Sequence, residues 1–302
     1  MILIGENIHI ISKNVQKALI EKDEKFIREL VELQNNMDFV DLNIGPAKNK
    51  MENIFPWLVD IVQKSSNLNI SFDTTNAIEM EKGLESFSGS SFINSTSKDE
   101  PRLSKMIELA LKYNSKLVAL TLSKETGIPK SADGRLEIAF EIYEKCLENG
   151  FDSEKIFFDP LILPICVDQA QALEALNTIK MIKESFDPPV KTLIGLSNIS
   201  NGCVERALIN KVFGVLAFGA GLDSAIIDAK DLELVRIFRM LENNNPQSEI
   251  DNLYINLANM ISEFGELENI NFDKNNKEQS NIIKTARILL NKEIYSHSFT
   301  QI

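Results

Sequence analysis

The chain has 302 residues, and 32 Lys and Arg against 44 Asp and Glu give it a formal net charge of −12. Its 44% hydrophobic and 25% charged residues are ordinary for a soluble globular protein, and they argue against disorder, a disulfide-stapled mini-domain or a membrane span. The acidic balance argues against binding to nucleic acid, whose phosphates select clustered Lys and Arg, and against binding to an acidic membrane surface.

Eight short apolar or β-branched runs recur along the chain. Each is followed by a polar or glycine-containing turn and then by a segment with helical spacing, such as Asp23–Asn35 or Gln169–Glu184. The mean spacing of about 32 residues is typical of a strand followed by a helix. In chain order the runs are Ile2–Ile4, Phe39–Leu42, Leu68–Phe72, Ser91–Ile93, Leu117–Leu122, Lys155–Phe158, Thr192–Leu196 and Ser224–Ile227.

Eight strand–helix units predict an α/β protein with a (β/α)8 TIM barrel, which we expect to fill residues 1–302 as a single domain. The alternative is an open, doubly wound sheet. Such a sheet usually carries a glycine-rich phosphate loop after its first strand, and the residues that follow Ile4 do not form one.

The repeat fades after Ala229. Residues 234–283 are predicted to be an acidic, partly helical insertion before the last helix, with helical spacing over Ile250–Phe264 between flexible ends. The insertion is expected to be either a solvated segment or a surface for a partner or a second copy. The chain then closes with a predicted helix over Ile282–Asn291.

Cys146, Cys166 and Cys203 are far apart in the sequence and form no CxxC pair. They predict three reduced, mostly buried thiols in a cytoplasmic protein, with neither a zinc site nor a disulfide framework. The N-terminal residues lack a basic segment and soon reach Glu6, so they are interpreted as a first strand and not as a signal peptide. No protein-bound metal is expected.

Polar side chains follow most of the predicted strands. In a TIM barrel the carboxyl ends of the strands form the mouth that carries function, so these side chains are expected to converge there. Single Asp and Asn residues at such places often only cap loops, but so many on one rim favour a binding site. They are Asn7, Asp41, Asn43, Asp73, Asn94, Asp159, Ser197 and Asn198.

A ring of carboxylates and carboxamides around an apolar mouth suits a neutral, planar ligand with many hydrogen-bonding groups, such as a pterin or a purine. It suits a sugar phosphate less well, because Arg206 is the nearest basic candidate after the last two strands. With only two histidines, His9 and His297, a chemistry centred on histidine is poorly supported.

Six segments, taken together and in this order, resemble the pterin-binding methyltransferases that move a methyl group from 5-methyltetrahydrofolate to the cobalt of a corrinoid protein. The resemblance is strongest to the acetyl-CoA pathway type, whose acceptor is a corrinoid/iron–sulfur protein, and it covers about residues 1–233 and 284–299. The first turn departs from the family, since Ile8–Ile10 is apolar where the family is more often polar. The segments are Leu42–Pro46, Phe72–Asn76, Ile93–Thr96, Thr126–Lys130, Asp159–Pro164 and Gly195–Ser200.

The resemblance implies a TIM barrel, usually a homodimer, with 5-methyltetrahydrofolate or tetrahydrofolate as substrate and with the corrinoid (cobalamin) carried by the partner protein. It implies that Asn198 lies at the pterin N5 as the main catalytic group, with Asp159 as a second one. Asp73, Asn94 and Asp159 would hold the pterin ring, Gly195 and Ser197 would shape the pocket wall, and Asp41 and Asn43 would support the pocket.

The implied reaction requires hydrogen bonding or protonation at N5, because an amine that loses a methyl group to Co(I) would otherwise leave with negative charge. Three alternatives stay open at this point: a methyltransferase of an O-demethylase or glycine-betaine corrinoid system, a dihydropteroate synthase-like enzyme, and a folate-binding or scaffold protein with an inactive site. A methionine-synthase role would need a zinc–thiolate module, which the scattered cysteines do not supply.

Overall fold

The computed structural model describes residues 1–47 and 51–300. Its eight strands are all parallel, and they pair in sequence order until β1 meets β8, which closes the barrel. Strand number and order are as predicted, but several strands run further than the apolar runs that predicted them. The strands are β1 Ile2–His9, β2 Phe39–Gly45, β3 Asn69–Thr74, β4 Ser91–Thr96, β5 Lys116–Leu120, β6 Ile156–Asp159, β7 Lys191–Gly195 and β8 Ser224–Ile227.

Helices connect the strands and form the outer layer. Two of them lie between β1 and β2, one follows each later strand, and two more close the chain. Within the described residues they are α1 Lys13–Glu21, α2 Glu24–Leu33, α3 Ile54–Ser65, α4 Ala77–Glu85, α5 Arg102–Lys112, α6 Ala132–Glu148, α7 Ala170–Ser185, α8 Arg206–Gly219, α9 Leu232–Asn243, α10 Glu249–Ser262 and α11 Lys277–Leu289.

The barrel interior has an apolar floor that is separate from the core between strands and helices. Phe92 contacts Phe39 and Phe157 edge to face, with ring centroids 4.9 and 4.8 Å apart. The Lys116 ammonium lies 5.4 Å from the centroid of the Phe39 ring, which is a cation–π contact at the amino-terminal end of the barrel. The interior is therefore a filled core and not a channel.

The alternation of side chains along each strand places polar residues of the barrel mouth directly above the apolar floor. Because successive side chains point to opposite faces of a strand, the residue two places after a floor residue also faces the interior. Phe39 is thus followed by Asp41, Phe92 by Asn94 and Phe157 by Asp159. The strands are longer than predicted for this reason: polar residues at the mouth look like turn residues in the sequence, yet they still belong to the ladder.

The segment expected as an insertion is more ordered than predicted. Its first part belongs to α9, the regular helix after β8, and its middle forms α10, close to the predicted Ile250–Phe264. Leu257 on α10 is fully buried. A side chain at Gly219 of α8 would place its Cβ 2.2 Å from the Ala258 carbonyl oxygen, so glycine lets the two helices approach. Of the two alternatives expected for this segment, the solvated one is wrong for α10.

Within the part of the chain that the structure describes, no helix is long and apolar enough to cross a bilayer.

Candidate active site

The first group at the barrel mouth is centred on Asp41, which is only 3% exposed. Its Oδ1 accepts hydrogen bonds from the Ser71 hydroxyl at 2.6 Å and from the Asn94 amide at 3.1 Å. Burial raises the pKa of Asp41 to about 6, although both hydrogen bonds act in the opposite direction. Three neighbouring strands therefore share one buried polar network.

The second group joins Asp73 to its neighbour on β2. The Asn43 amide donates to the Asp73 carboxylate, and the Asn43 oxygen accepts from the Gly45 backbone N–H at 3.2 Å. Burial and the nearby charge of Asp41 raise the pKa of Asp73 well above its usual value. Arg102 lowers it, but this guanidinium is held by backbone carbonyls such as that of Thr75, at 2.9 Å. Asp73 thus has acceptor capacity left for a ligand.

Asp159 ends β6 at the opposite side of the mouth. Its Oδ1 accepts from the Leu161 backbone N–H at 2.8 Å. Burial raises the pKa of Asp159 to about 7, while that hydrogen bond and the charge of the buried Arg135 lower it. A carboxyl group with this pKa gains and loses a proton near neutral pH.

The seventh strand contributes the residues around Asn198, which lie on a short 3₁₀ helix over Leu196–Ser200. Asn198 is exposed, and its Oδ1 accepts from the Asn201 amide at 3.3 Å. A Cβ at Gly195 would lie 3.1 Å from Asn198 Nδ2, so a larger residue there would crowd this amide. Among the described residues, Asn198 Nδ2 has no acceptor within hydrogen-bonding distance, and it can donate to a ligand.

Arg206, the basic candidate from the sequence, supports this loop. Its guanidinium donates to the Ser200 hydroxyl at 3.1 Å, to the Ser197 carbonyl at 3.3 Å and to the Asn201 side-chain oxygen at 2.9 Å. It therefore holds the backbone around Asn198 in place.

Two acidic residues at the mouth were not predicted as site residues. Glu6 accepts from the Ser197 hydroxyl at 2.6 Å, which links β1 to the loop after β7. Asp228 accepts from the Asn7 amide at 2.6 Å, and Asn7 in turn accepts from the Ala229 backbone N–H at 3.0 Å. The signal for Glu6 was the alternation Ile2, Ile4, Glu6 within β1, which was missed because the strand was expected to end at Ile4.

Several carboxylates crowd this mouth, so it favours ligand groups that donate hydrogen bonds. Burial also raises the pKa of Glu6, and the charges of Asp228 and Asp41 act in the same direction. Within residues 1–47 and 51–300 no group of three or more His, Cys, Asp or Glu side chains is placed to hold a metal ion. The arrangement can bind and orient a planar heterocycle and exchange a proton with it.

The expectation about the cysteines was wrong in part. Cys146 is buried, as predicted, but Cys166 is exposed and Cys203 is half-buried. Cys166 and Cys203, distant in the sequence, both lie beside the backbone carbonyl of Asn201.

A closed parallel barrel whose mouth is lined by acidic and amide side chains is an arrangement that can hold a flat heterocycle rich in hydrogen-bond donors. Comparison with known families agrees with this, because residues 39–228 match the family described as pterin binding enzymes. The chain belongs to this family, and the resemblance seen in the six segments is confirmed at that level.

Two curated relatives narrow the comparison. A methylcorrinoid:tetrahydrofolate methyltransferase from Eubacterium limosum is 26% identical over 239 residues, which cover 78% of this chain and 88% of that protein. A methionine synthase from Mycobacterium tuberculosis is 30% identical over 246 residues, which cover 77% of this chain. The match spans only 21% of that methionine synthase, so it concerns one part of a much longer protein.

Solved structures support the fold alone. A dihydropteroate synthase from Yersinia pestis in complex with a sulfonamide drug has a TM-score of 0.59 at 14% identity, over 81% of this chain and 94% of that one. A dihydropteroate synthase from Coxiella burnetii in complex with pteroic acid has a TM-score of 0.56 at 14% identity, with the same coverage.

Proposed function

We propose that this protein is a methyltransferase that moves a methyl group between N5 of tetrahydrofolate and the cobalt of a corrinoid carried by a separate protein. The observation that carries the proposal is the barrel mouth, where Asp73, Asn94 and Asp159 surround an apolar floor and the exposed amide of Asn198 lies at the rim. The Eubacterium limosum relative, which the chain matches over most of its length, supports the same reaction.

In this proposal the acidic side chains bind the pterin ring. The amino-pyrimidinone edge of a pterin presents adjacent N–H donors, and a carboxylate accepts such donors in pairs. Asp73 and Asp159 supply carboxylates, while Asn94 holds Asp41 in place and Asn43 holds Asp73. Gly195 and Ser197 form the wall of the pocket beside Asn198.

Asn198 acts on the departing nitrogen. Its Oδ1 is fixed by Asn201, so Nδ2 is oriented to donate to N5 as the C–N bond weakens. An amide supplies no proton at neutral pH, so the proton comes through water or from an acid at the mouth. Asp159, whose pKa is about 7, is protonated in only part of the molecules at neutral pH. In this proposal the protonated form serves as the acid, and the ionised form accepts hydrogen bonds from the pterin ring.

The partner is a corrinoid protein that presents its cobalt at the mouth. The acetyl-CoA pathway type, with a corrinoid/iron–sulfur protein as partner and a reversible reaction, is our first proposal. The name of the relative describes transfer from a methylcorrinoid to tetrahydrofolate, which favours a demethylating corrinoid system as the second candidate. We further propose a cytoplasmic homodimer.

The experiment is a methyl-transfer assay in both directions under anaerobic conditions. The protein is mixed with methylcob(III)alamin and tetrahydrofolate, and in the reverse reaction with cob(I)alamin and 5-methyltetrahydrofolate, while the corrinoid spectrum is followed. Transfer above the rate without protein is expected. Folate binding without transfer would support an inactive binding protein, and pteroate formation from a pterin pyrophosphate and p-aminobenzoate would support a dihydropteroate synthase.

Assays with the partner proteins distinguish between the two proposed corrinoid systems. Transfer to a corrinoid/iron–sulfur protein at a higher kcat/KM than to an O-demethylase or glycine-betaine corrinoid protein would support the acetyl-CoA pathway type. The reverse preference would support the second candidate.

A further inference from the structure

Two thiols meet at the rim of the barrel mouth, outside the residues that the proposed reaction uses. Cys166 Sγ donates to the Asn201 carbonyl oxygen at 3.1 Å, and Cys203 Sγ lies 3.9 Å from the same oxygen. A Cβ at position 202 would lie 3.3 Å from Cys166 Sγ, so the backbone between Asn201 and Cys203 runs directly beside this thiol. Both sulfurs therefore converge on one carbonyl group.

The two cysteines belong to different loops. Cys166 lies between β6 and α7, and Cys203 lies between the 3₁₀ helix and α8. The chain after α11 returns to the same place, where the Tyr295 hydroxyl accepts from the Val204 backbone N–H at 3.2 Å. A bond between the sulfurs would join two neighbouring loops of the mouth.

Their surroundings give the two thiols different roles. Cys166 is exposed and is the thiol that a dissolved oxidant meets first. Burial raises the pKa of Cys203, a hydrogen bond with Tyr295 lowers it, and the neighbouring Cys166 thiol raises it again. The exposed Cys166 is therefore placed to react first, and the less accessible Cys203 can then attack the oxidised sulfur.

We propose that Cys166 and Cys203 form a reversible disulfide when the protein meets hydrogen peroxide, and that this disulfide slows the reaction at the barrel mouth. The Cys166 thiolate attacks peroxide, the O–O bond breaks, and a sulfenic acid and hydroxide form. Cys203 loses its proton and attacks the sulfenic sulfur, which expels a second hydroxide. In total two thiols are oxidised, one peroxide is reduced, and two waters form.

The connection to the reaction runs through Asn201. Its carbonyl accepts from the Cys166 thiol at 3.1 Å, and its side chain donates to Asn198 Oδ1 at 3.3 Å. The disulfide removes the thiol donor and ties the backbone that carries Asn201 to the next loop. This part of the inference rests on the proposed function, because it assumes that Asn198, whose Oδ1 accepts from Asn201, is the group that donates to N5.

The test uses the full-length protein, treated with hydrogen peroxide and then freed of it by catalase and desalting so that the corrinoid substrate is not oxidised. Free thiols are titrated, and a non-reducing digest is analysed by mass spectrometry. Two of the three thiols are expected to disappear with a peptide cross-link between positions 166 and 203, and dithiothreitol is expected to restore them. Intact thiols, or a Cys166 that is oxidised without a cross-link, would overturn the proposal.

A second measurement, hydrogen exchange, reports on the two loops independently of the methyl-transfer activity. Hydrogen exchange of residues 160–169 and 196–205 is expected to slow on oxidation and to return on reduction. Unchanged exchange in a protein that carries the cross-link would overturn the connection to the mouth.

Activity is measured last, in the methyl-transfer assay. Oxidised protein is expected to lose about fivefold or more in kcat/KM, the size of effect typical of one lost hydrogen bond. Cys166→Ser, which keeps a hydroxyl donor and removes the reacting thiol, is expected to keep its activity after peroxide, and Cys146→Ala, a change outside the pair, is expected to stay sensitive. Equal activity before and after cross-linking would overturn the regulatory part. If reduced protein transfers no methyl group, the proposed function fails, while the cross-link and exchange results still decide whether the disulfide forms.

Discussion

Replacing Asp41 by Asn is expected to stabilise the protein at neutral pH. Asp41 is almost fully buried, and burial raises its pKa from 3.8 to about 6. The ionised carboxylate is therefore less favourable in the folded protein than in the unfolded chain. The amide has the same shape, and its oxygen can accept from Ser71 and Asn94 as the carboxylate oxygen does.

The magnitude follows from the pKa difference. Each pKa unit corresponds to about 1.4 kcal/mol, so the ionised carboxylate costs up to about 3 kcal/mol once the pH is above the pKa of the folded state. The new amide N–H₂ also replaces a charge that raises the pKa of Asp73 and of Glu6. We expect Asp41→Asn to raise the free energy of unfolding by about 2–3 kcal/mol at pH 7.5.

The sign of the pH dependence is fixed by the same numbers. Between pH 3.8 and about 6 the unfolded chain has already lost this proton while the folded protein still holds it. Stability therefore falls as the pH rises through this window, and the loss is complete above it. The gain from the amide should shrink to about 1 kcal/mol at pH 4.5.

The assay is urea unfolding followed by circular dichroism at pH 7.5 and pH 4.5. Asp99→Asn is the matched control, because the pKa of Asp99 is lowered and not raised. The main cause is a hydrogen bond from the Lys124 backbone N–H. This control is expected to lower the free energy of unfolding at pH 7.5. If Asp41→Asn gains nothing at pH 7.5, or gains equally at both pH values, the reasoning about the buried carboxylate is refuted.

Four further predictions concern the mouth and the last helices. Asn198→Ala should lower kcat in methyl transfer by about 10²-fold or more, a typical loss for a donor to a developing charge; Asn149→Ala at the end of α6 serves as the control, and an unchanged kcat for Asn198→Ala would exclude the catalytic role. Asp73→Ala should weaken binding of 5-methyltetrahydrofolate by roughly 1–3 kcal/mol in titration calorimetry, because a ligand donor loses its acceptor; wild-type affinity would show that Asp73 does not contact the pterin. Affinity for tetrahydrofolate should fall as the pH drops below about 7, because Asp159 becomes protonated and accepts fewer hydrogen bonds. Asp159→Asn should remove this pH dependence. An affinity of the wild type that stays constant from pH 6 to 8 in calorimetry would contradict the role of Asp159 in binding. Leu257→Ala should cost about 2–5 kcal/mol in urea unfolding because α10 is part of the core, whereas a loss below about 0.5 kcal/mol would be expected of a solvated segment.

Much of this molecule follows from local sequence pattern. The eight apolar runs and their spacing determine the number and order of the strands, and alternation within a strand puts Asp41 above Phe39 and Asp159 above Phe157. Because function in a barrel gathers at the carboxyl ends of its strands, the polar residues at those ends are candidates on sequence grounds alone. Their roles toward a pterin remain predictions.

Tertiary structure alone decided the rest. Closing the ring pairs β1 with β8 and brings Glu6 to Ser197, a contact between residues at opposite ends of the barrel sequence. The pairing of β6 with β7 gathers the two thiols around Asn201, and the packing of α10 on α8 turned an acidic segment into core. Periodicity is a local property of the chain, while these contacts depend on which distant segments share one surface, so the sequence pattern could not show them.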